Sequence, residues 1–288
     1  MHVAVNGVRL YVDVMGAGLV PDGVAMRERP VIVMVHGGPG ADHTVFKPAF
    51  GQLADVAQMV FYDQRGNGRS EGDEPADWTL AQWADDLRGL CDTLGIVRPV
   101  VLGTSFGGFV AQAYAVRHPG HAAALILIST AARMEFERVF ATFGCLGGPK
   151  AEALARAYWT APTAALRQSY RETCLPLYQR APWPPGALSR IRFRDGPALH
   201  FNGPGNEHGR MDHRAGLASV TCPVLVMAGE DDPIVPVALS ETMAACLTRA
   251  PVTFRRYPDC GHGVTGDRPA EAFAEIRAFL ARLPIRAA

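Results

Sequence analysis

The chain has 288 residues, 48% of them hydrophobic, and its 28 basic and 28 acidic side chains cancel. That is ample for a substantial core and excludes disorder as the main state. With no basic run or stripe there is no electrostatic footprint for nucleic acid or an anionic membrane, so the expected partner is a small molecule, not a nucleic acid or membrane.

The first segment, MHVAVNGVRLYVDV, lacks the basic start, long apolar run and small-residue cleavage site of a signal peptide. Its residues 3–14 alternate around Asn6-Gly7, a pair suited to a tight hairpin turn, and predict an antiparallel edge. Short apolar runs at 31–36, 59–63, 99–103, 124–129, 223–229 and 252–258 then predict strands buried on both faces. Helical spacing predicts helices over 80–96, where Gly95 is placed to stop the run, over 106–118 and over 269–282. Strands alternating with helices imply a mostly parallel central sheet with helices on both faces.

From about 132 to 215 no buried-strand run occurs, while helical pieces, aromatics and proline-rich turns such as APWPPG do. A structureless loop of that length is improbable in a compact domain, so the segment reads as a helical cap. The expected organisation is a core of residues 1–131 and 216–288 with an inserted helical cap at 132–215. Cys91, Cys145, Cys174, Cys222, Cys246 and Cys260 form no CxxC pair or clustered framework and read as reduced thiols of a cytoplasmic protein. No stretch approaches the roughly 18 consecutive apolar residues of a membrane span.

Gly103-Thr104-Ser105-Phe106-Gly107 follows the run PVVL and precedes a helical stretch. A serine between glycines there fits a strained strand-to-helix turn, because flanking side chains would collide with neighbouring backbone. The loop His36-Gly37-Gly38-Pro39-Gly40 follows another strand run and brings bare backbone close to something. If Ser105 attacks a carbonyl, the amides of Gly38 and Phe106 are the candidate oxyanion donors. The candidate base is His262, after the last strand run, and the candidate acid is Asp232, with Asp231 as the alternative. The order Ser105, Asp232, His262 is that of α/β hydrolases. His200, His208 and His213 have no recognised metal spacing, Cys260 reads as a packing residue, and no cofactor or metal is expected.

On these motifs the chain resembles the α/β-hydrolase superfamily over nearly its full length and, within it, the proline iminopeptidase group. HGGPG at 36–40 and DQRGNGRS at 63–70 look like that group's oxyanion loop and the loop after its next strand. The resemblance implies the α/β-hydrolase fold; Asp63, Arg65 and Ser70 read as an internal hydrogen-bonded brace, with a catalytic role as the alternative. FNGPGNE at 201–207 looks like the segment by which the group's tricorn-interacting aminopeptidases supply a glutamate to the substrate's amine, here Glu207. The alternative for Glu207 is a solvated surface carboxylate. This chain departs from the group at Phe106, where Trp or Tyr is frequent, and at Pro233, where those aminopeptidases carry a second amine-binding glutamate.

The expected function is therefore a serine hydrolase working through an acyl-enzyme, foremost an aminopeptidase or amidase of the proline iminopeptidase type. Trp159 and Trp183 would help form its substrate pocket, or else only glue the cap to the core. A carboxylesterase or lactonase with the same triad is the alternative. Aspartate-nucleophile chemistry is disfavoured by Ser105, and a non-catalytic receptor by the complete set of candidate residues. The oligomeric state is left open.

Overall fold

A computed structural model describes residues 1–283. Its strands are β1 (His2–Val5), β2 (Val8–Met15), β3 (Leu19–Asp22), β4 (Ala25–Glu28), β5 (Val31–Val35), β6 (Gln58–Tyr62), β7 (Val100–Thr104), β8 (Ala124–Ile128), β9 (Val224–Gly229) and β10 (Val252–Tyr257). Eight of them form one sheet in the order β1-β2-β6-β5-β7-β8-β9-β10. The first two pairings, β1 with β2 and β2 with β6, are antiparallel, and every later one is parallel. The antiparallel start follows from the Asn6-Gly7 turn, in which both residues adopt positive φ, 46° and 81°.

The central strands are buried on both faces, and their side chains divide between two apolar layers with period two. Val33, Val35, Val101, Leu125 and Leu127 face one layer, and Ile32, Met34, Leu102, Ile126 and Ile128 face the other. Helices Leu80–Thr93, Phe106–Arg117 and Val237–Cys246 cover the first face through Trp83, Leu87, Phe109, Val110 and Met243. Helix Pro269–Arg282 covers the second through Phe273 and Ile276, together with Phe46, Phe50 and Leu53 from two short 3-10 turns between β5 and β6. Thr79 caps the first of these helices by accepting the amide of Gln82 at 3.1 Å, and Gly95, at φ 66°, lies just past its end.

Two expectations need correction. The run at 252–258 is an edge strand and not a doubly buried one: β10 buries only Tyr257 fully, and Arg255 and Arg256 reach out to Glu275, Glu230 and Glu241. The charges guard an edge that would otherwise be open to pairing. The ribbon β3–β4, turned at Gly23-Val24, was not anticipated because its side chains are almost all exposed and leave no apolar alternation to read.

Between β8 and β9 the described chain forms only helices and turns: Phe136–Thr160, kinked where Gly148 takes φ 76° ahead of Pro149, then Ala164–Thr173 and five short pieces. The ends of this excursion meet where the amide of His213 donates to the carbonyl of Ala132 at 2.9 Å.

Candidate active site

The parallel strands point their carboxyl ends to one edge of the sheet, and that edge holds the candidate residues. At the end of β7 the chain turns into helix Phe106–Arg117 within one residue, so Ser105 is forced to φ 54°, ψ −122°. The turn fits only because its flanks are bare: a β-carbon on Gly107 would lie 2.0 Å from the carbonyl oxygen of Val35, and one on Gly103 would lie 2.4 Å from that of Gly107. The amide of Ser105 donates to the carbonyl of Ile128 at 2.9 Å, which ties the turn to β8.

The loop after β5 runs against this turn. A β-carbon on Gly37 would sit 3.4 Å from Ser105 Cβ, and Gly38 takes φ 130°. Among the described residues neither Gly38 nor Phe106 donates its amide to a backbone carbonyl. As the first residue of a helix, Phe106 has no intrahelical partner. The loop is held from behind. His36 Nδ1 meets the carbonyl of Gly37 at 2.8 Å while its Nε2 accepts the amide of Gln64 at 3.1 Å, which fixes a neutral tautomer, and Asn67 Oδ1 accepts the amide of Gly40 at 2.6 Å. Burial pushes the His36 pKa down, consistent with that neutral form.

Residues 63–70 form the brace. Asp63 accepts from the backbone and ring of His43 at 2.9 and 2.6 Å and from the amide of Arg69 at 2.8 Å. Arg65 grips Asp86 with two bonds of 2.7 and 2.9 Å, and Ser70 Oγ accepts the amide of Tyr11 at 2.9 Å.

His262 stands on the loop after β10. Its Nδ1 lies 2.7 Å from Asp232 Oδ2, while Asp232 Oδ1 accepts the amides of Ile234 and Val235 at 2.8 and 2.9 Å. The carboxylate is thus buried and oriented, with a partner on each oxygen. Asp231 points elsewhere, toward Arg180 at 3.2 Å. Two residues that sequence reasoning missed also hold the histidine loop: Ser129 donates its hydroxyl to the His262 carbonyl at 2.7 Å, and the Tyr178 carbonyl accepts the His262 amide at 2.6 Å. Ser129 also adopts a positive φ, 50°, which nothing in its sequence context announced. Cys260 is buried, its thiol pushed up to about 12 by desolvation, as befits an inert packing residue.

Ser105 and His262 line one cavity of about 360 Å³, roofed by the excursion between β8 and β9. No hydrogen bond joins their side chains among the described residues; such contacts commonly tighten only when substrate arrives. Trp159 and Trp183 are both in its wall. Trp159 is buried and donates to Tyr170 Oη at 3.3 Å, whereas Trp183 is 37% exposed at the rim. His208 also contributes to the wall, with its ring among those of Phe109, Phe136, Trp159 and Phe201 and neither nitrogen partnered. That burial pushes its pKa down to about 3.

Glu207 is not where an amine anchor would have to be. It lies outside the cavity wall, in a separate surface hollow, and both its oxygens accept the amide of Leu80 at 3.1 Å. It caps helix Leu80–Thr93, where a carboxylate meets the positive end of the helix dipole. The cavity wall contains no aspartate or glutamate, but four cations: Lys47, Arg167, Arg171 and Arg190. Among the described residues no group of three His, Cys, Asp or Glu side chains is disposed to hold a metal, and no helix is long and apolar enough to cross a membrane.

The relationships of the chain agree with this architecture. It is 29% identical over 250 residues to the protein named "Putative carbamate hydrolase RutD" of Caulobacter vibrioides (strain NA1000 / CB15N), covering 85% of this chain and 87% of that one. Its fold is similar to that of a proline iminopeptidase from Mycobacterium smegmatis, with TM-score 0.73 and 22% identity over 98% and 97% of the two chains. It is also similar to a thermophilic esterase from Thermogutta terrifontis, with TM-score 0.70 and 24% identity over 98% and 99%. Residues 30–269 match the model of the alpha/beta hydrolase fold family, and the chain belongs to that family.

Proposed function

We propose that the protein is a serine hydrolase that cleaves carboxylic esters or lactones through an acyl-enzyme. Ser105 attacks the carbonyl carbon while His262 takes its proton, and the oxyanion that forms is met by the amides of Gly38 and Phe106. His262 then gives the proton to the departing alcohol oxygen, leaving an acyl group on Ser105. A water molecule, deprotonated by the same imidazole, releases the acid. Asp232 holds the ring in the tautomer that leaves Nε2 free to act. Residues 132–215 serve as a cap over a core of 1–131 and 216–288, of which 284–288 lie outside the described residues.

The observation that carries this reading is the pairing of Asp232 with His262 at 2.7 Å at the wall of a cavity that also contains a strained, glycine-flanked serine. The ester is favoured over the N-terminal amide because a free ammonium is best met by a carboxylate, and the acidic side chains that would supply one are absent from the described cavity wall, whose charged groups Lys47, Arg167, Arg171 and Arg190 are basic. Glu207, the residue that resemblance nominated for that task, is engaged with Leu80. The relative named as a carbamate hydrolase and the similar esterase structure support attack on a carbonyl bonded to oxygen or nitrogen.

Covalent labelling by a fluorophosphonate, with turnover of p-nitrophenyl butanoate and of proline p-nitroanilide, tests the proposal. Labelling and ester turnover are expected, both lost in Ser105→Ala, with little action on the anilide. Faster action on the anilide than on the ester overturns the ester reading. Absence of both label and turnover overturns the hydrolase.

A further inference from the structure

Helix Ala164–Thr173 turns two different faces outward and inward. Gln168 and Glu172 hydrogen-bond each other at 2.6 Å on the exposed side, while Arg167 and Arg171, also four residues apart, both line the cavity that holds Ser105. Two like charges at that spacing repel modestly, and Asp195 offsets the charge of Arg167 alone. Only one of the pair is neutralised. Arg167 Nε lies 2.6 Å from Asp195, and its Nη1 donates to Tyr158 Oη at 3.1 Å. Its Nη2 makes no hydrogen bond with the described residues and stands beside the oxyanion loop, 3.2 Å from where a β-carbon on Gly40 would be.

Arg171 has neither an ion pair nor a hydrogen bond among the described residues. Its guanidinium lies over the ring of Phe193, 4.0 Å from the centroid, a contact that fixes the plane of the group while leaving its N–H edge available. A planar fork left open in this way beside a second, half-satisfied guanidinium is the donor set that a carboxylate accepts. No acidic side chain in the cavity wall competes for it.

We infer that Arg167 and Arg171 form a carboxylate-recognition subsite, so that the preferred substrate is an ester carrying a free carboxylate on the part remote from the scissile carbonyl. The inference deepens the ester-hydrolase reading and rests on it. The remaining wall, with its tyrosines, tryptophans and Phe193, would enclose a short aliphatic or aromatic spacer between the two ends.

Matched pairs test it. Methyl hydrogen glutarate differs from methyl pentanoate only in ending its acyl chain with a carboxylate, and 3-carboxypropyl butanoate differs from butyl butanoate in the same way on the alcohol. Calorimetric binding to Ser105→Ala reads the anion preference without turnover, and kcat/KM on the wild type reads it through catalysis. One acidic ester is expected to exceed its neutral partner by about tenfold to a hundredfold, the range for hydrogen bonds to charged groups. The pair that does so tells which side of the ester faces the helix. In Arg171→Gln that ratio is expected to collapse through KM, with partial recovery in Arg171→Lys. Arg167→Gln gives a second reading if its fold survives the loss of the Asp195 and Tyr158 contacts. Ratios near one in the wild type, or an unchanged preference in Arg171→Gln, overturn the subsite. A carboxylate preference in binding together with no turnover would instead leave the subsite standing and overturn the hydrolase. If Arg171 only complemented the carboxyl end of its helix, the substitution would lower the melting temperature and leave the ratio alone.

Discussion

Acid should destabilise this protein through His208. The ring is 3% exposed, is packed among four aromatic side chains and has no partner at either nitrogen, so its neutral form is favoured and its pKa falls from the ordinary 6.5 to about 3. A histidine depressed in the folded state keeps its full stability contribution above the unfolded value and loses it as pH falls below about 6.5, because the unfolded chain takes up the proton first. At pH 5 the unfolded state gains RT ln(1 + 10^1.5), or about 2 kcal/mol, and the loss continues until the pH nears the folded pKa. For a chain of 288 residues that is a fall of about 3 °C in melting temperature. His208→Phe keeps a flat ring against Phe201 and removes the titration. Melting both proteins at pH 7.5 and pH 5.0, the wild type should lose those degrees in excess of the variant. Burial also depresses His36 and His213, but both are present in each protein and cancel in the comparison. Equal losses in the two proteins would refute the reasoning.

Three further outcomes follow from the geometry. Asp232→Asn should lower kcat on p-nitrophenyl butanoate by about 10⁴-fold, because the amide favours the wrong imidazole tautomer; Asp231→Asn, at the partly exposed Arg180 pair, should leave the same assay nearly unchanged. Glu207→Ala should cost about 1 kcal/mol in a denaturant titration by uncapping helix Leu80–Thr93, with ester turnover retained. Gly107→Ala should cost at least about 3 kcal/mol, read as lost soluble yield or a depressed melting temperature, because the added methyl meets the fixed carbonyl of Val35 at 2.0 Å.

The order of elements was legible because doubly buried strands are written as short unbroken apolar runs, as at 31–36 and 124–129, and because Asn6-Gly7 and Gly95 mark their turns directly. The serine turn was legible for a steric reason: glycines at 103 and 107 are demanded by backbone contacts at about 2 Å, so the local sequence carries its own geometry. Glu207 was not, since the string FNGPGNE fixes a position along the chain but not a direction, and the direction is set by Leu80, 127 residues away. Strand β10 misled because Val252, Phe254 and Tyr257 look like core until the absence of a neighbour beyond them is known. Arg167 and Arg171 were open to discovery, as a pair at helical spacing in an aromatic-rich segment. What could not be read was that their face would be the inward one.

The seam between the helical segment that roofs the cavity and the histidine loop would limit how the cavity can open. The carbonyl of Tyr178 takes the amide of His262, and Asp267 clasps the amides of Gly261, Arg180 and Ala181 at 2.7, 2.8 and 2.8 Å. A swing of the whole roof would drag the imidazole out of alignment with Asp232. On the proposed mechanism ingress would fall to the segment beyond this clasp, around Trp183 and Arg190, and a chimera that borrows a foreign roof would need Tyr178 to Ala181 intact to keep His262 seated.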